Sequence, residues 1–378
     1  MSRIVQELVA GGPPDPGRID RFLSARPYPH VDGRAVTFVY RGEAEQILLR
    51  HWIYGLPSSQ AFHRVDATDL WFLELDIPER SRIEYKIERV AGSTREWLMD
   101  PLNPRTARDP FGSNSVCHGE GYETPAWVRP DPEARAGEIV DLRVRSRSLG
   151  GVRRVHVYLP ARFRRQRRYP LLVVHDGRDY LEYADMRTVL DNLIHRLEIP
   201  PAIVALSEPR ERHLEYAAEP RHADFLSHEL LPKLEARFPI VSRPSHRALV
   251  GASFGAVAAL HAAWRSPGLW GRLLLQSGSF AFSDIGEHRR GPMFDPVVDF
   301  VNEFRDRPVR PADKVFVSCG VYESLIYENR SLVPLLQATG MEVRYVEARD
   351  GHNWENWRDR LRPGLSWLFP GPLWMVYE

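Results

Sequence analysis

The stretch "LVGASFGAVAAL", residues 249–260, places two glycines around a serine, between an apolar run and a series of small apolar residues. Its core, Gly251-Ala252-Ser253-Phe254-Gly255, has the G-x-S-x-G spacing of a turn that joins a strand to a helix and exposes a serine hydroxyl. The serine there has an unfavourable backbone conformation, so the residues two before and two after it must be nearly free of side chains. Tight packing of a helix under a sheet selects the same small residues. The motif therefore predicts a nucleophile only if a strand precedes it, a helix follows it and the sheet is of the right type.

The sequence around this motif predicts a doubly wound α/β domain. After Gly137, apolar runs alternate with longer helical patterns. Continuous Val and Leu runs that alternate with helices are typical of a mostly parallel sheet covered on both faces. The predicted strands lie in "VRRVHVYLP", "YPLLVVHDG", "PAIVALSE", "HRALVGAS", "RLLLQSGS", "KVFVSCG" and "MEVRYVEA". The predicted helices span 186–197, 223–237, 255–266, 327–339 and 356–368.

The N-terminal part has a different pattern. From about Arg34 to Glu88, short alternating or aromatic-rich runs are separated by turn residues, which predicts a small β-sandwich. Residues 100–130 are dense in Pro, Gly and Asn, and we expect an irregular connector there. A chain of 378 residues is long enough for two domains. We therefore predict a β-sandwich over residues 1–125 and an α/β domain over residues 126–378.

Composition narrows the classes of partner. The net charge is +1, which gives no reason to expect nucleic acid or an anionic membrane as a partner. No apolar stretch approaches the length of a membrane span, and we expect a cytoplasmic protein. Cys117 and Cys319 stand far apart in unlike contexts, so we predict reduced thiols, no disulfide framework and no metal cluster. Association into an oligomer is compatible with the sequence.

A serine nucleophile requires a histidine base. In the α/β-hydrolase arrangement the chain order is serine, acid, histidine. Only His261, His288 and His352 follow Ser253. His261 falls on the helix after the motif, and His288 follows no clear strand, whereas His352 follows a strand and a glycine-bearing turn. We predict His352 as the general base.

The acid should follow the preceding strand. Glu323 comes three residues after Gly320 and is our first choice. Glu328 and Asp350 are alternatives, and a Ser–His dyad without a strong acid also stays open. An oxyanion needs two backbone donors, one from the residue after the nucleophile and one from the loop after an early strand. We predict the N–H groups of Phe254 and Arg178 for these roles.

Several motifs together resemble the bacterial enterochelin esterase family, cytoplasmic hydrolases that open ferric catecholate siderophores. They are "VTFVYRG", "DPLNP", "LLVVHDGRDYL", "RERHLEY", "FLSHELLPKLEARFPI", "VGASFGAVAAL", "CGVYESLIYENRSL" and "DGHNWENWR". The motifs of the C-terminal part are shared with a broader set of esterases, so they specify the reaction more firmly than the substrate. The resemblance implies an α/β-hydrolase preceded by an early-set, immunoglobulin-like β-sandwich.

The resemblance also implies roles for residues. It gives Ser253 as nucleophile and His352 as base, and it supports Glu323 less firmly because the acid varies within the family. The expected partner is a small-molecule ester such as a ferric catecholate, whose iron would be substrate, and no cofactor is expected. Such polyanionic aromatic substrates need guanidinium groups and aromatic faces, for which Arg210, Arg212 and Trp354 are candidates. The alternatives are a carbohydrate esterase acting on feruloyl or acetyl esters, and a non-catalytic ligand-binding protein on the same fold.

Overall fold

The structure is a computed structural model that describes residues 2–283 and 290–372. It divides into two compact units. The first unit comprises Met1–Thr124 with two short later segments, Gly320–Glu323 and Ala348–Asn353. The second comprises Pro125–Cys319, Ser324–Glu347 and Trp354–Glu378.

The first unit contains two antiparallel sheets. The strands are β1 (His30–Asp32), β2 (Ala35–Arg41), β3 (Gln46–His51), β4 (Ser59–Ala61), β5 (His63–Arg64), β6 (Leu70–Asp76), β7 (Arg82–Ala91), β8 (Thr94–Leu98), β9 (Thr106–Asp109) and β10 (Gly112–His118). One sheet has the order β1-β2-β6-β5, and the other has the order β4-β3-β7-β10-β9 with β8 paired to β7.

The two sheets share one core. Phe38 and Leu73 of the first sheet join Leu49, Tyr85 and Ile87 of the second in a single buried cluster. Because both sheets contribute alternate side chains to this cluster, the predicted sandwich architecture is present. The immunoglobulin-like assignment stays a prediction. Two helices that the sequence pattern did not predict, α1 (Arg3–Val9) and α2 (Pro16–Ser24), pack on the other face of the first sheet, where a second buried cluster lies.

The expectation of an irregular connector over residues 100–130 is wrong for its middle part. Strand β10 pairs on one side with β7 and on the other with β9, so it is an inner strand of its sheet. The hydrophobic pattern did not predict β10 because several of its buried residues are polar. Ser115 Oγ accepts the Asp100 N–H at 2.8 Å, and the Asn114 side-chain amide donates to Glu84 at 2.8 Å. Hydrogen bonds thus satisfy polar groups that hydrophobic patterning does not register.

The second unit is built on an eight-stranded sheet. The strands are β11 (Glu138–Arg145), β12 (Val152–Leu159), β13 (Leu171–Val174), β14 (Ile203–Ser207), β15 (Arg247–Ala252), β16 (Arg272–Gln276), β17 (Lys314–Gly320) and β18 (Glu342–Ala348). The helices are α3 (Gly177–Tyr183), α4 (Met186–His195), α5 (Arg212–Tyr216), α6 (Pro220–Asp224), α7 (Leu231–Arg237), α8 (Phe254–Arg265), α9 (Asp295–Asp306), α10 (Ile326–Ala338) and α11 (Trp354–Leu368), and a π-helical segment (Phe225–Leu230) joins α6 to α7.

The sheet order is β11-β12-β14-β13-β15-β16-β17-β18. The strands from β14 across to β17 pair in parallel, whereas β11 and β12 are antiparallel to their neighbours. Along β13, Leu171 and Val173 enter one buried cluster, and Leu172 and Val174 enter the other. A strand that alternates between two cores is apolar throughout, as the sequence indicated. The prediction of a mainly parallel sheet with helices on both faces is confirmed.

Candidate active site

Ser253 lies between β15 and α8 in a strained conformation. Its φ is 58° and its ψ is −123°, in a region that residues with a side chain seldom adopt. A Cβ on Gly251 would lie 2.2 Å from the Gly255 carbonyl oxygen, and one on Gly255 would lie 3.2 Å from the His175 Cβ. The first contact is impossible and the second is tight. These distances explain why the turn carries glycines at both positions.

Both the backbone and the side chain of Ser253 have polar contacts at the ends of β15 and β16. Its backbone N–H donates to the Gln276 carbonyl at the end of β16, at 2.9 Å. Its Oγ lies 3.1 Å from the Oγ of Ser279, and the residue is only 8% exposed. Sequence reasoning missed Ser279, because "QSGS" after β16 differs in no obvious way from an ordinary strand-end turn. The hydroxyl groups of Ser253 and Ser279 are therefore within hydrogen-bond distance of each other.

The two predicted oxyanion donors belong to helices that start at one edge of the sheet. Phe254 begins α8 after β15, and Arg178 is the second residue of α3 after β13; β13 and β15 are parallel neighbours. N–H groups in the first turn of a helix have no partner within it, so they are suited to hold negative charge. Gly177 is required there, because a Cβ would lie 2.4 Å from the Leu206 carbonyl carbon.

Arg212 is bound to a buried carboxylate. Its Nε and Nη2 each donate to Asp176 at 2.8 Å, in a bidentate pair, and its side chain is 31% exposed against 2% for Asp176. Nη2 also lies 3.4 Å from the carbonyl oxygen of Ala252, the residue before the serine. Arg212 therefore links Asp176, on the loop after β13, to Ala252, next to Ser253. Part of its side chain is still exposed to solvent.

The other two predicted substrate-binding residues have structural contacts. Arg210 donates from Nη2 to the Val152 carbonyl at 2.9 Å. Trp354 is buried, with ring centroids 5.2 Å from Tyr180 and 4.8 Å from Trp357, both edge-on. Trp354 belongs to the core on that face of the sheet.

His175, Tyr216 and His222 form a cluster of buried rings next to β15, the strand that leads into the Ser253 turn. His175 is fully buried, and its ring lies 5.1 Å from Tyr216 and 5.3 Å from His222. Its Nδ1 lies 2.9 Å from the Val250 carbonyl oxygen in β15. Burial lowers the pKa values of His175 and His222, so both rings are neutral at pH 7.

Glu323 and His352 form a hydrogen-bonded pair in the first unit. His352 Nδ1 lies 2.7 Å from Glu323 Oε2, and Glu323 Oε1 accepts the Gly320 N–H at 2.7 Å. The Glu323 side chain is fully buried, whereas the His352 side chain is 37% exposed. A carboxylate on Nδ1 fixes the tautomer with the proton at that nitrogen, which leaves Nε2 as a proton acceptor.

The alternative acids have other partners. Asp350 Oδ1 lies 3.3 Å from Arg82 Nη1, and Glu328 forms an ion pair with Arg290. His261 stacks on Trp264 at 5.8 Å and meets Phe300 edge-on at 5.0 Å, which makes it a packing residue. His288 lies outside the described residues.

No group of three or more His, Cys, Asp or Glu side chains within residues 2–283 and 290–372 is arranged to hold a metal ion. In the same ranges, none of the helices has the length and apolar character that a membrane crossing demands.

The model of the Esterase family, described as "Putative esterase", matches residues 146–368, which is more than half of the chain. The chain belongs to the Esterase family. The family is one of ester hydrolases, so the predicted class of reaction is confirmed at this level.

Curated relatives extend the likeness beyond that region. Iron(III) enterobactin esterase of Escherichia coli strain K12 is 28% identical over 369 residues, covering 87% of this chain and 90% of the relative. The enzyme of the same name from Escherichia coli O6:H1 is 28% identical over 275 residues, covering 71% of this chain and 66%, just under two thirds, of the relative. The resemblance to enterochelin esterases seen in the sequence is confirmed by these alignments.

Solved structures share the fold. The enterobactin esterase of Shigella flexneri, crystallised in the presence of enterobactin, has a TM-score of 0.71 at 21% identity and covers 88% of this chain and 92% of its own. A ferulic acid esterase has a TM-score of 0.54 at 21% identity and covers 63% of this chain and 99% of its own. The sheet and helices of the second unit therefore have the α/β-hydrolase type of fold.

Proposed function

We propose that this protein is a serine esterase that hydrolyses the ester bonds of a catecholate siderophore of the enterochelin type, and so releases its iron. The observation that carries the catalytic part is the strained turn at Ser253, together with the buried Glu323 on Nδ1 of His352. The relatives named enterobactin esterase support the substrate part.

Ser253 Oγ attacks the ester carbonyl carbon while Nε2 of His352 accepts its proton. The negative charge on the resulting tetrahedral oxygen is stabilised by the N–H groups of Phe254 and Arg178. Glu323 stabilises the imidazolium through Nδ1–H. Collapse of the intermediate breaks the ester C–O bond, and the leaving alkoxide takes the proton from His352. Water then repeats the sequence on the acyl-enzyme and frees Ser253. This mechanism requires His352 Nε2 within hydrogen-bond distance of Ser253 Oγ.

The share of this chain that each relative matches favours a siderophore over a sugar ester as the substrate. The K12 enterobactin esterase aligns over 87% of this chain, whereas the ferulic acid esterase corresponds to 63% of it. The match covers 99% of the ferulic acid esterase chain, which therefore has no counterpart to the remaining residues of this protein. A substrate that needs the additional residues therefore fits better than one that the smaller enzyme already accepts.

Incubation with ferric enterobactin tests the substrate. We expect linear dihydroxybenzoylserine products from the wild-type enzyme, none from Ser253→Ala, and no action on feruloyl or acetylated sugars. Cleavage of the sugar esters with ferric enterobactin left intact would support the carbohydrate esterase instead. Product release by a folded Ser253→Ala variant would show that another group is the nucleophile.

A further inference from the structure

Arg82, the first residue of β7, has a fully buried side chain with several polar partners in the first unit. Its Nη1 lies 3.0 Å from Asn353 Oδ1 and 3.3 Å from Asp350 Oδ1, and its Nη2 lies 2.9 Å from Glu84 Oε1. A buried guanidinium is costly unless carboxylates and acceptors surround it. Here two of its partners lie in the segment that carries His352.

The contacts of Arg82 bracket the proposed base. Asp350 is two residues before His352 and Asn353 is one residue after it. Asp350 Oδ1 also accepts the Gly351 N–H at 2.7 Å and the Asn353 side-chain amide at 2.8 Å. The Arg82 backbone N–H donates to the Arg349 carbonyl at 2.8 Å. The segment around His352 is therefore folded about one buried carboxylate that Arg82 neutralises.

The residue before Arg82 contacts the segment that carries the acid. Ser81 Oγ lies 2.6 Å from the Tyr322 hydroxyl, and Tyr322 directly precedes Glu323. The Tyr322 backbone N–H donates to the Asp350 carbonyl at 3.2 Å. Two consecutive residues of the sandwich thus hold both partners of the Glu323–His352 pair.

We propose that Arg82 is a positioning residue, which fixes the His352 ring against Glu323 through Asp350 and Asn353. The inference rests on the proposed function and assigns the β-sandwich a part in it. A buried ion pair contributes little net stability compared with apolar side chains of the same size, whereas a catalytic base displaced by about 1 Å can cost on the order of 100-fold in rate. The network therefore acts on turnover more than on folding.

Three variants test this role. Arg82→Met removes the guanidinium, and Arg82→Met/Asp350→Asn also removes the negative charge of Asp350. Asn353→Ala removes the Asn353 contacts with Arg82 and Asp350 and keeps the Arg82–Asp350 ion pair. Arg50→Met is the matched control. Arg50, on β3, forms an ion pair with the buried Glu88, which lies on the same strand as Arg82, β7. Each is assayed for kcat and KM on p-nitrophenyl butyrate, for the rate of fluorophosphonate labelling of Ser253, and for urea unfolding.

We expect kcat and the labelling rate to fall about 10- to 100-fold in both Arg82 variants, with KM within about twofold of wild type. Asn353→Ala should lose about three- to tenfold in kcat and unfold like wild type, and Arg50→Met should keep wild-type kcat. If the folded double variant or Asn353→Ala turns over and is labelled as fast as wild type, the positioning role is overturned. An equal loss in Arg50→Met would overturn it too. Failure of the proposed function is distinguishable, because the wild-type enzyme itself would then not be labelled at Ser253.

Discussion

His352 Nδ1 lies 2.7 Å from Glu323 Oε2, and the carboxylate is completely shielded from water. This relationship supports the proposal that Glu323 is the acid that orients the imidazole. Glu323→Gln keeps the size of the side chain but allows the wrong tautomer of His352. We expect kcat on p-nitrophenyl butyrate to fall by about 10²- to 10⁴-fold with KM little changed.

Glu328→Gln is the matched control, since Glu328 was an alternative acid and pairs with Arg290. We expect kcat of that variant within about threefold of wild type, as for a change outside the catalytic set. If Glu328→Gln lost activity and Glu323→Gln did not, the assignment of the acid would be reversed.

The two glycines of the turn should differ in their tolerance of alanine. Gly251→Ala places a Cβ 2.2 Å from a backbone oxygen, whereas Gly255→Ala places it 3.2 Å from a side-chain carbon. Gly251→Ala should therefore lose nearly all activity and about 1–3 kcal/mol of unfolding free energy, and Gly255→Ala should lose less of both. Gly291→Ala is the control, because its Cβ meets nothing within 4 Å. Equal behaviour of the first two variants would contradict the strained turn.

Arg212 should matter for stability. Arg212→Met leaves Asp176, whose side chain is 2% exposed, without its bidentate partner. Because Arg212 itself is partly exposed, we expect a loss of about 2–3 kcal/mol in urea unfolding, below the cost for a fully buried pair. Asp176→Asn/Arg212→Met should recover part of it, since asparagine tolerates the left-handed φ of 53° at this position. An unchanged unfolding midpoint in Arg212→Met would show that the pair contributes nothing.

The stability of the second unit should depend on pH through His261. Burial, with Arg265 nearby, lowers the pKa of His261 to about 4. The unfolded chain, with a histidine pKa of about 6.5, then binds the proton more tightly than the folded one. The free energy of unfolding should therefore fall by about 3 kcal/mol as pH drops from about 6.5 to 4, which is the difference between the two pKa values of His261 converted to energy. His261→Phe should show a shallower decline in urea unfolding across that window; an identical slope would exclude His261 as a source.

Patterns that the chain carries locally predicted much of the fold. The parallel strands are apolar because both their faces are buried. The glycine at position 251 is dictated by a contact within the turn itself, whereas Gly255 is constrained by His175 on the loop after β13. The short helices α3 and α5 and the amphipathic helix α9 were missed, and so was β11, whose exposed residues interrupt the apolar pattern. Strand β10 was missed because its polar side chains are satisfied only by partners distant in sequence.

The site was predictable only as far as chain order constrains it. The order serine, acid, histidine, together with the position of each residue after a strand, favours Ser253, Glu323 and His352 but leaves Glu328 and Asp350 open as acids. It does not indicate that Arg212 is engaged by Asp176 or that Trp354 is buried in the core, because both facts depend on tertiary contacts. Arg82 carried no signal, since Asp350 and Asn353, the partners that tie it to the His352 segment, lie more than 250 residues away along the chain.

Labelling with a fluorophosphonate followed by peptide mass spectrometry tests the central claim most directly. The tryptic peptide that spans residues 248–265 contains Ser253 and no other serine, threonine or tyrosine, so a modified peptide identifies the nucleophile without ambiguity. We predict one label per chain on this peptide, with esterase activity lost in proportion to labelling, and no label in Ser253→Ala. Full inactivation with the label elsewhere, or full activity in Ser253→Ala, would contradict the assignment.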